Sequence, residues 1–117
     1  MTTAALHIDQ YGLATKRVTY RQIQKAVCQY FKISEDGLIG PSRVRMFARP
    51  RQIAMFLIRR HTQLSFPAIA ERFGQRDHTT VMHACEVMAE RVAGDDPSWH
   101  LDVVSIESDM GIYNGQG

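Results

Sequence analysis

Residues 65–92 read Ser65-Phe-Pro-Ala-Ile-Ala-Glu-Arg-Phe-Gly-Gln-Arg-Asp-His-Thr-Thr-Val-Met-His-Ala-Cys-Glu-Val-Met-Ala-Glu-Arg-Val92. Two helical patterns lie in this stretch. In the first, Phe66, Ile69, Ala70 and Phe73 share one face. Ser65 can cap that helix, and Pro67 falls in its first turn, where a missing N–H is tolerated. The second runs over roughly 78–92, with Val81, Ala84, Cys85, Met88 and Val92 as its apolar positions. Gly74-Gln-Arg-Asp77 separates them. The glycine suits the end of one helix and Asp77 caps the next. Two helices joined by a tight glycine-containing turn predict a helix-turn-helix.

The chain around this motif is also helical. Ile23, Ala26, Val27, Tyr30 and Phe31 follow the i, i+3, i+4 rhythm, with Thr19 as N-cap and Gln22 three residues on. A short turn or helix follows at Ser34 to Leu38. Gly37, Gly40 and Pro41 then punctuate the chain. Residues 40–48, Gly-Pro-Ser-Arg-Val-Arg-Met-Phe-Ala, form a basic loop. A helix starts around Arg49-Pro50 and runs to His61 or Thr62. Its middle is apolar nearly all round, which predicts the central core helix. Gly94-Asp-Asp-Pro97 stops the 78–92 helix, and a last amphipathic segment runs from Trp99 to Met110, with Val103, Ile106 and Met110 on one side. Residues 1–17 read as a flexible arm and 111–117 as a frayed tail, leaving 18–110 as the domain. No strand pattern shows. The expected fold class is all-α, a helical bundle with a helix-turn-helix and a preceding basic loop.

Charge sharpens the reading. The formal net charge of the 117 residues is only +2, but all 14 Lys and Arg lie between Lys16 and Arg91. Only six of the twelve acids lie there, so that segment carries +8 and the flanks −6. Residues 37–70 hold six Arg and no acid. Such asymmetry points to a polyanionic partner.

Other classes fall away. The longest apolar run, Ile53 to Ile58, is six residues, far short of a membrane span, and the N-terminus lacks the basic and apolar regions of a signal peptide. Cys28 and Cys85 form no C-x-x-C and read as a reduced, buried, cytosolic pair. No phosphate loop, H-E-x-x-H or paired-carboxylate pocket appears, so no enzyme activity, nucleotide, cofactor or metal is expected. Thr79 and His83 could stand as nucleophile and base, but a four-residue separation on a helix is as often a packing spacing.

Phe73-Gly-Gln-Arg-Asp-His-Thr-Thr-Val-Met-His-Ala-Cys85 closely resembles the signature of the C-terminal DNA-binding domain of the bacterial replication initiator DnaA, typically Gly-x-Arg-Asp-His-Thr-Thr-Val-x-His-Ala. Ala48-Arg-Pro-Arg-Gln-Ile-Ala-Met55 matches the run before that family's central helix, and the two motifs stand in the right order and separation. The likeness covers about residues 18–110. It implies an all-helical bundle whose second motif helix enters the major groove of a DnaA box while a loop Arg reaches the minor groove. It also implies double-stranded DNA as partner and a cytoplasmic, nucleoid-associated location. Family initiators carry an ATPase module that this sequence lacks. The chain therefore reads as a stand-alone copy of the domain, and ATP hydrolysis, origin melting and helicase loading are not carried over.

By this resemblance Asp77, His78, Thr79 and Thr80 read bases from the start of the 78–92 helix. A carboxylate accepts from cytosine N4, and Thr methyls pack on thymine. Read without the family, Asp77 is a plain N-cap and the threonines are solvated; capping and base reading can coexist. Arg43 matches the minor-groove Arg, and a guanidinium suits a narrow A·T-rich groove. Val44, Met46 and Phe47 depart from the family's small or polar loop residues. Backbone contacts are expected from Arg45, Arg51, Gln52, Arg59, Arg76 and His83, and from Phe66 and Pro67 at a helix start whose free N–H groups favour phosphate. His83 reads equally well as a half-buried histidine bonded within the fold. Each Arg reads otherwise as part of a solvated face. Two functional classes follow. One is a sequence-specific DNA reader acting as an accessory or competing regulator of replication initiation or transcription. The other is an adaptor that binds the initiator or one of its regulators.

Overall fold

The computed structural model describes residues 6–8, 14–16, 18–41 and 43–112. Its helices are α1 (Tyr20–Phe31), α2 (Glu35–Ile39), α3 (Ala48–His61), α4 (Phe66–Glu71), α5 (His78–Val92) and α6 (Pro97–Met110). A 3-10 turn, Arg45–Phe47, leads into α3. The bundle is all-α with a helix-turn-helix at α4–α5 and a loop ahead of α3, the expected class.

Local chemistry sets most boundaries. Thr19 Oγ1 accepts the Gln22 N–H while Gln22 Oε1 accepts the Thr19 N–H, a complete capping box. Ser34 accepts the Gly37 N–H and Ser65 the Ala68 N–H. α1 ends at Lys32, which adopts a left-handed φ of 58° so that the Ile33 N–H can reach the Cys28 carbonyl.

α3 packs against α1, α4 and α5, so the central position read from its apolar middle holds. Ile53, Leu57 and Ile58 of α3 are fully buried with Ile23 and Val27 of α1, Ile69 and Phe73 around α4, and Val81 and Met88 of α5. Val103 and Ile106 close the core from α6. Each such side chain contributes about 1.5–3 kcal/mol when removed from water.

Three features differ from expectation. α6 starts at Pro97, not Trp99, because Asp96 caps it through the Ser98 N–H and the proline occupies its first turn, while α5 ends at Val92 as expected. Leu6–Ile8 and Ala14–Lys16 pair antiparallel, Leu6 opposite Lys16 and Ile8 opposite Ala14, where no strand was expected. Three residues are too few to show a period-two pattern. Gly111 and Ile112, expected to fray, are instead ordered. Gly111, at φ 72°, and Ile112 close α6 by donating to the Ser108 and Glu107 carbonyls, and Ile112 is buried. Residues 1–5, 9–13 and 17 of the expected arm, and 113–117 of the tail, lie outside the described residues.

Candidate nucleic-acid interface

The turn between α4 and α5 is built on two left-handed residues, Gly74 at φ 77° and Gln75 at φ 61°. They reverse the chain so that the Arg76 N–H bonds the Ala70 carbonyl at 3.0 Å. Asp77 then caps α5. Its Oδ1 accepts both the Thr79 N–H (2.9 Å) and the Thr79 hydroxyl (2.8 Å), and these bonds hold its carboxyl below the usual range. The capping role read from sequence is therefore present. Its second oxygen has no hydrogen bond among the described residues. His78, Thr79, Thr80 and His83 are all exposed. His83 makes no hydrogen bond among the described residues, which removes the alternative of a histidine bonded within the fold.

An open groove of about 550 Å³ runs between α3 and α5. Ala48, Arg51, Gln52 and Met55 line one wall, Thr79, Thr80, His83 and Ala84 the other, and Arg76 one end. No lining residue is acidic. Of the sequence-predicted residues, Arg51 and Gln52 of α3 and Thr79, Thr80 and His83 of α5 thus share one cleft with positive character, whereas Arg59 and His78 do not line it.

Arg51 is placed differently from its sequence reading. It was expected to contact phosphate, but it is 91% buried and its guanidinium serves the fold. Nε donates to the Leu38 carbonyl (2.8 Å), and Nη2 donates to those of Gly37 (2.7 Å) and Gly40 (3.0 Å). These are carbonyls at the end of α2, which a short helix leaves without internal partners. Burial, then the neighbouring Arg76 charge, pushes the Arg51 pKa down. Arg76, also expected on phosphate, donates Nη2 to the same Gly40 carbonyl, and its Nε is buried without a hydrogen-bond partner among the described residues.

The remaining cations are more open. Arg43 and Arg45 are exposed on the loop, with Val44 (53% exposed) and Met46 (59%) beside them. Phe47 turns inward against Gly37, where any Cβ would stand 2.4 Å from the ring. That packing accounts for one of the three departures from the family loop. Arg59 donates to the Leu64 carbonyl and lies 4.2 Å over the Phe66 ring, so it is tethered beside the α4 start. At that start Pro67 has no N–H and Ala68 gives its own to Ser65, leaving the Phe66 N–H as the donor among these three. Gln52 Oε1 accepts from Arg91 Nη1 at 3.0 Å, and its amide N–H₂ has no hydrogen bond among the described residues.

Sequence reasoning missed Arg91 and its neighbourhood. Two guanidiniums stack on the Trp99 ring, Arg49 at 3.7 Å and Arg91 at 4.4 Å from its centroid. Arg49 also pairs with Asp102, which accepts the Tyr30 hydroxyl. No spacing rule joins residues so far apart in sequence; only the coincidence of a lone Trp with an acidic last helix hinted at a basic neighbour. Among the described residues no helix is long and apolar enough to cross a membrane, and no His, Cys, Asp and Glu group is arranged to hold a metal ion.

The fold and groove define a helix-turn-helix module with a basic loop and a polar, cation-rich cleft. The profile of the family described as bacterial dnaA protein helix-turn-helix matches residues 20–87, and the chain belongs to that family. Two relatives, each named chromosomal replication initiator protein DnaA, place the similarity. The one from Aromatoleum aromaticum is 50% identical over 87 residues, covering 74% of this chain and 18% of its own length. The one from Acinetobacter baylyi is 45% identical over 94 residues, covering 80% of this chain and 20% of its own. The chain thus spans about one fifth of the length of these relatives.

Proposed function

We propose that the protein binds double-stranded DNA sequence-specifically at DnaA-box-like sites. The exposed start of α5 enters the major groove, with Asp77, His78, Thr79 and Thr80 at base edges. Arg43 reaches the minor groove, and Arg45, Gln52, Arg59, Arg76, His83 and the Phe66-Pro67 edge meet the backbone. Arg51 holds the base of the loop in place. The observation that carries this reading is the single acid-free groove joining Gln52 and Arg76 to Thr79, Thr80 and His83. The role that fits is an accessory or competing regulator of replication initiation or of transcription, in the cytoplasm and on the nucleoid. The sequence-based boundary of a DNA-binding domain over 18–110 forms part of the same reading.

A second reading, an adaptor that binds the initiator or one of its regulators, draws on one observation. Leu101 (57% exposed) and Val104 (42% exposed) stand one turn apart on α6, and the 78–92 helix does not cover them.

The test is a titration of box-bearing and scrambled duplexes at two salt concentrations. A DNA reader shows a large ratio between the two duplexes and a steep salt slope. Equal, weak binding to both favours the adaptor. Thr80→Ala should relax discrimination at one position, at about 1–3 kcal/mol.

A further inference from the structure

Three contacts converge on the point where the basic loop leaves the bundle. The Gly40 carbonyl accepts from Arg51 Nη2 at 3.0 Å and from Arg76 Nη2. One residue earlier, the Ile39 carbonyl lies so near Gly74 that a Cβ there would stand 3.0 Å from it. Arg51 also holds the Gly37 and Leu38 carbonyls. Residues 37–40 are therefore wedged between α3 and the turn of the helix-turn-helix. Arg76 directly precedes Asp77, the cap of α5. A single guanidinium joins the root of the loop to the residue from which α5 begins. Two like charges on one carbonyl repel. The Gly40 carbonyl uses both of its lone pairs, one on each guanidinium, so the second cation is held there against the repulsion of the first.

We infer that Arg76 is a positioning residue: by pinning Gly40 to the α4–α5 turn, it fixes the distance between the loop Arg43 and the start of α5, so that the two act as one ruler for a DNA site of fixed length. The inference rests on the proposed reading of the loop and α5 as minor- and major-groove elements. An extra base pair between the two contact patches moves them apart by about 3.4 Å and turns them by about 35°. A rigid ruler cannot follow that change, whereas a slack loop can.

The experiment uses the whole chain. A duplex is first selected by the protein from a randomised pool, and footprinting locates its minor- and major-groove contacts. One base pair is then inserted between them. The wild type should lose at least about tenfold in affinity on insertion. Arg76→Met keeps the apolar stem and removes every donor. It should bind the original site more weakly but lose less than about threefold on insertion, while major-groove base preferences stay unchanged. If Arg76→Met weakens both duplexes by the same factor and keeps the wild-type penalty, Arg76 is a backbone contact only and the inference falls. Should that variant not fold, two glycines inserted after Pro41 slacken the loop instead. A reduced penalty supports the ruler and an unchanged one overturns it. A wild type that selects no sequence at all defeats the DNA reading itself; one that selects a site yet tolerates the insertion defeats the ruler alone.

Discussion

One carboxylate oxygen of Asp77 holds both polar hydrogens of Thr79, the N–H at 2.9 Å and the hydroxyl at 2.8 Å. The pair closes the first turn of α5 and orients Thr79, while the adjacent Thr80 hydroxyl has no such bond among the described residues. Of the two threonines, Thr80 is thus the one whose hydroxyl is left to donate to a ligand, while the Thr79 hydroxyl is engaged by the cap.

The same pair makes stability depend on acid. The Asp77 carboxyl titrates below its ordinary value because the folded chain donates to its charged form. Its contribution is therefore present above the unfolded value near pH 4 and is lost as pH falls through the lower folded value. Urea midpoints measured from pH 6 to pH 2 should drop at the acid end for the wild type. Asp77→Asn, which keeps an acceptor but no charge, should show a smaller drop. Asp96 caps α6 in the same way and provides the residual slope.

Arg51→Ala should act on folding before it acts on binding. It strips the buried donors from the Gly37 and Leu38 carbonyls and leaves Gly40 with the Arg76 bond alone. A loss of about 2–4 kcal/mol follows from the usual worth of charge-assisted bonds and of carbonyls left unpaired. Urea denaturation measures this directly. If the variant keeps wild-type stability and only its DNA affinity falls, Arg51 acts as a phosphate contact after all.

Gln75 occupies a left-handed backbone position at φ 61°, next to Gly74 at φ 77°. A side chain there is strained by about 1–2 kcal/mol, partly offset by the larger unfolded-state freedom of glycine. Gln75→Gly should raise stability by about 0.5–1 kcal/mol. A thermal melt that moves downward would show that the Gln75 side chain makes a compensating contact.

Burial pushes the Cys85 thiol up to about 11, and its Sγ lies 3.8 Å from the Met55 carbonyl. The thiol should react slowly with a disulfide reagent at pH 8, where an exposed cysteine reacts quickly. A folded value above the unfolded one gives stability that is present below about pH 8.5 and lost as pH rises through about 11. Cys85→Ser should flatten that alkaline decline in a pH series of melts.

The sequence made the helix-turn-helix legible because its signals are local. Ser65 and Asp77 cap, Gly74 turns, and the apolar spacing of Val81, Ala84 and Met88 marks the buried face of α5. The gathering of Gln52, Thr79, Thr80 and His83 was legible only through the family resemblance, since no periodicity links α3 to α5. What stayed hidden depends on partners distant in sequence. Arg51 has the composition of a surface cation, and nothing within its own helix shows that three carbonyls more than ten residues earlier claim it. Gly94-Asp-Asp-Pro97 reads in the sequence only as the stop of the preceding helix, and the Asp96 cap shows that Pro97 also opens the next one. Glu107 counts in the sequence only as one of the acids of the flanks, yet it is buried between His61 (2.6 Å) and Arg60 (3.1 Å) and ties α6 to the end of α3.

The stacked position of Trp99 gives the protein an optical reporter. It is the chain's one tryptophan, and the Arg91 that covers one face also grips Gln52 on the wall of the groove. Anything that draws Gln52 toward a ligand shifts a cation lying on the indole, and indole emission responds to a charge at that range. Intrinsic fluorescence therefore follows occupation of the groove without a label, and the change disappears in Arg91→Met even where binding persists.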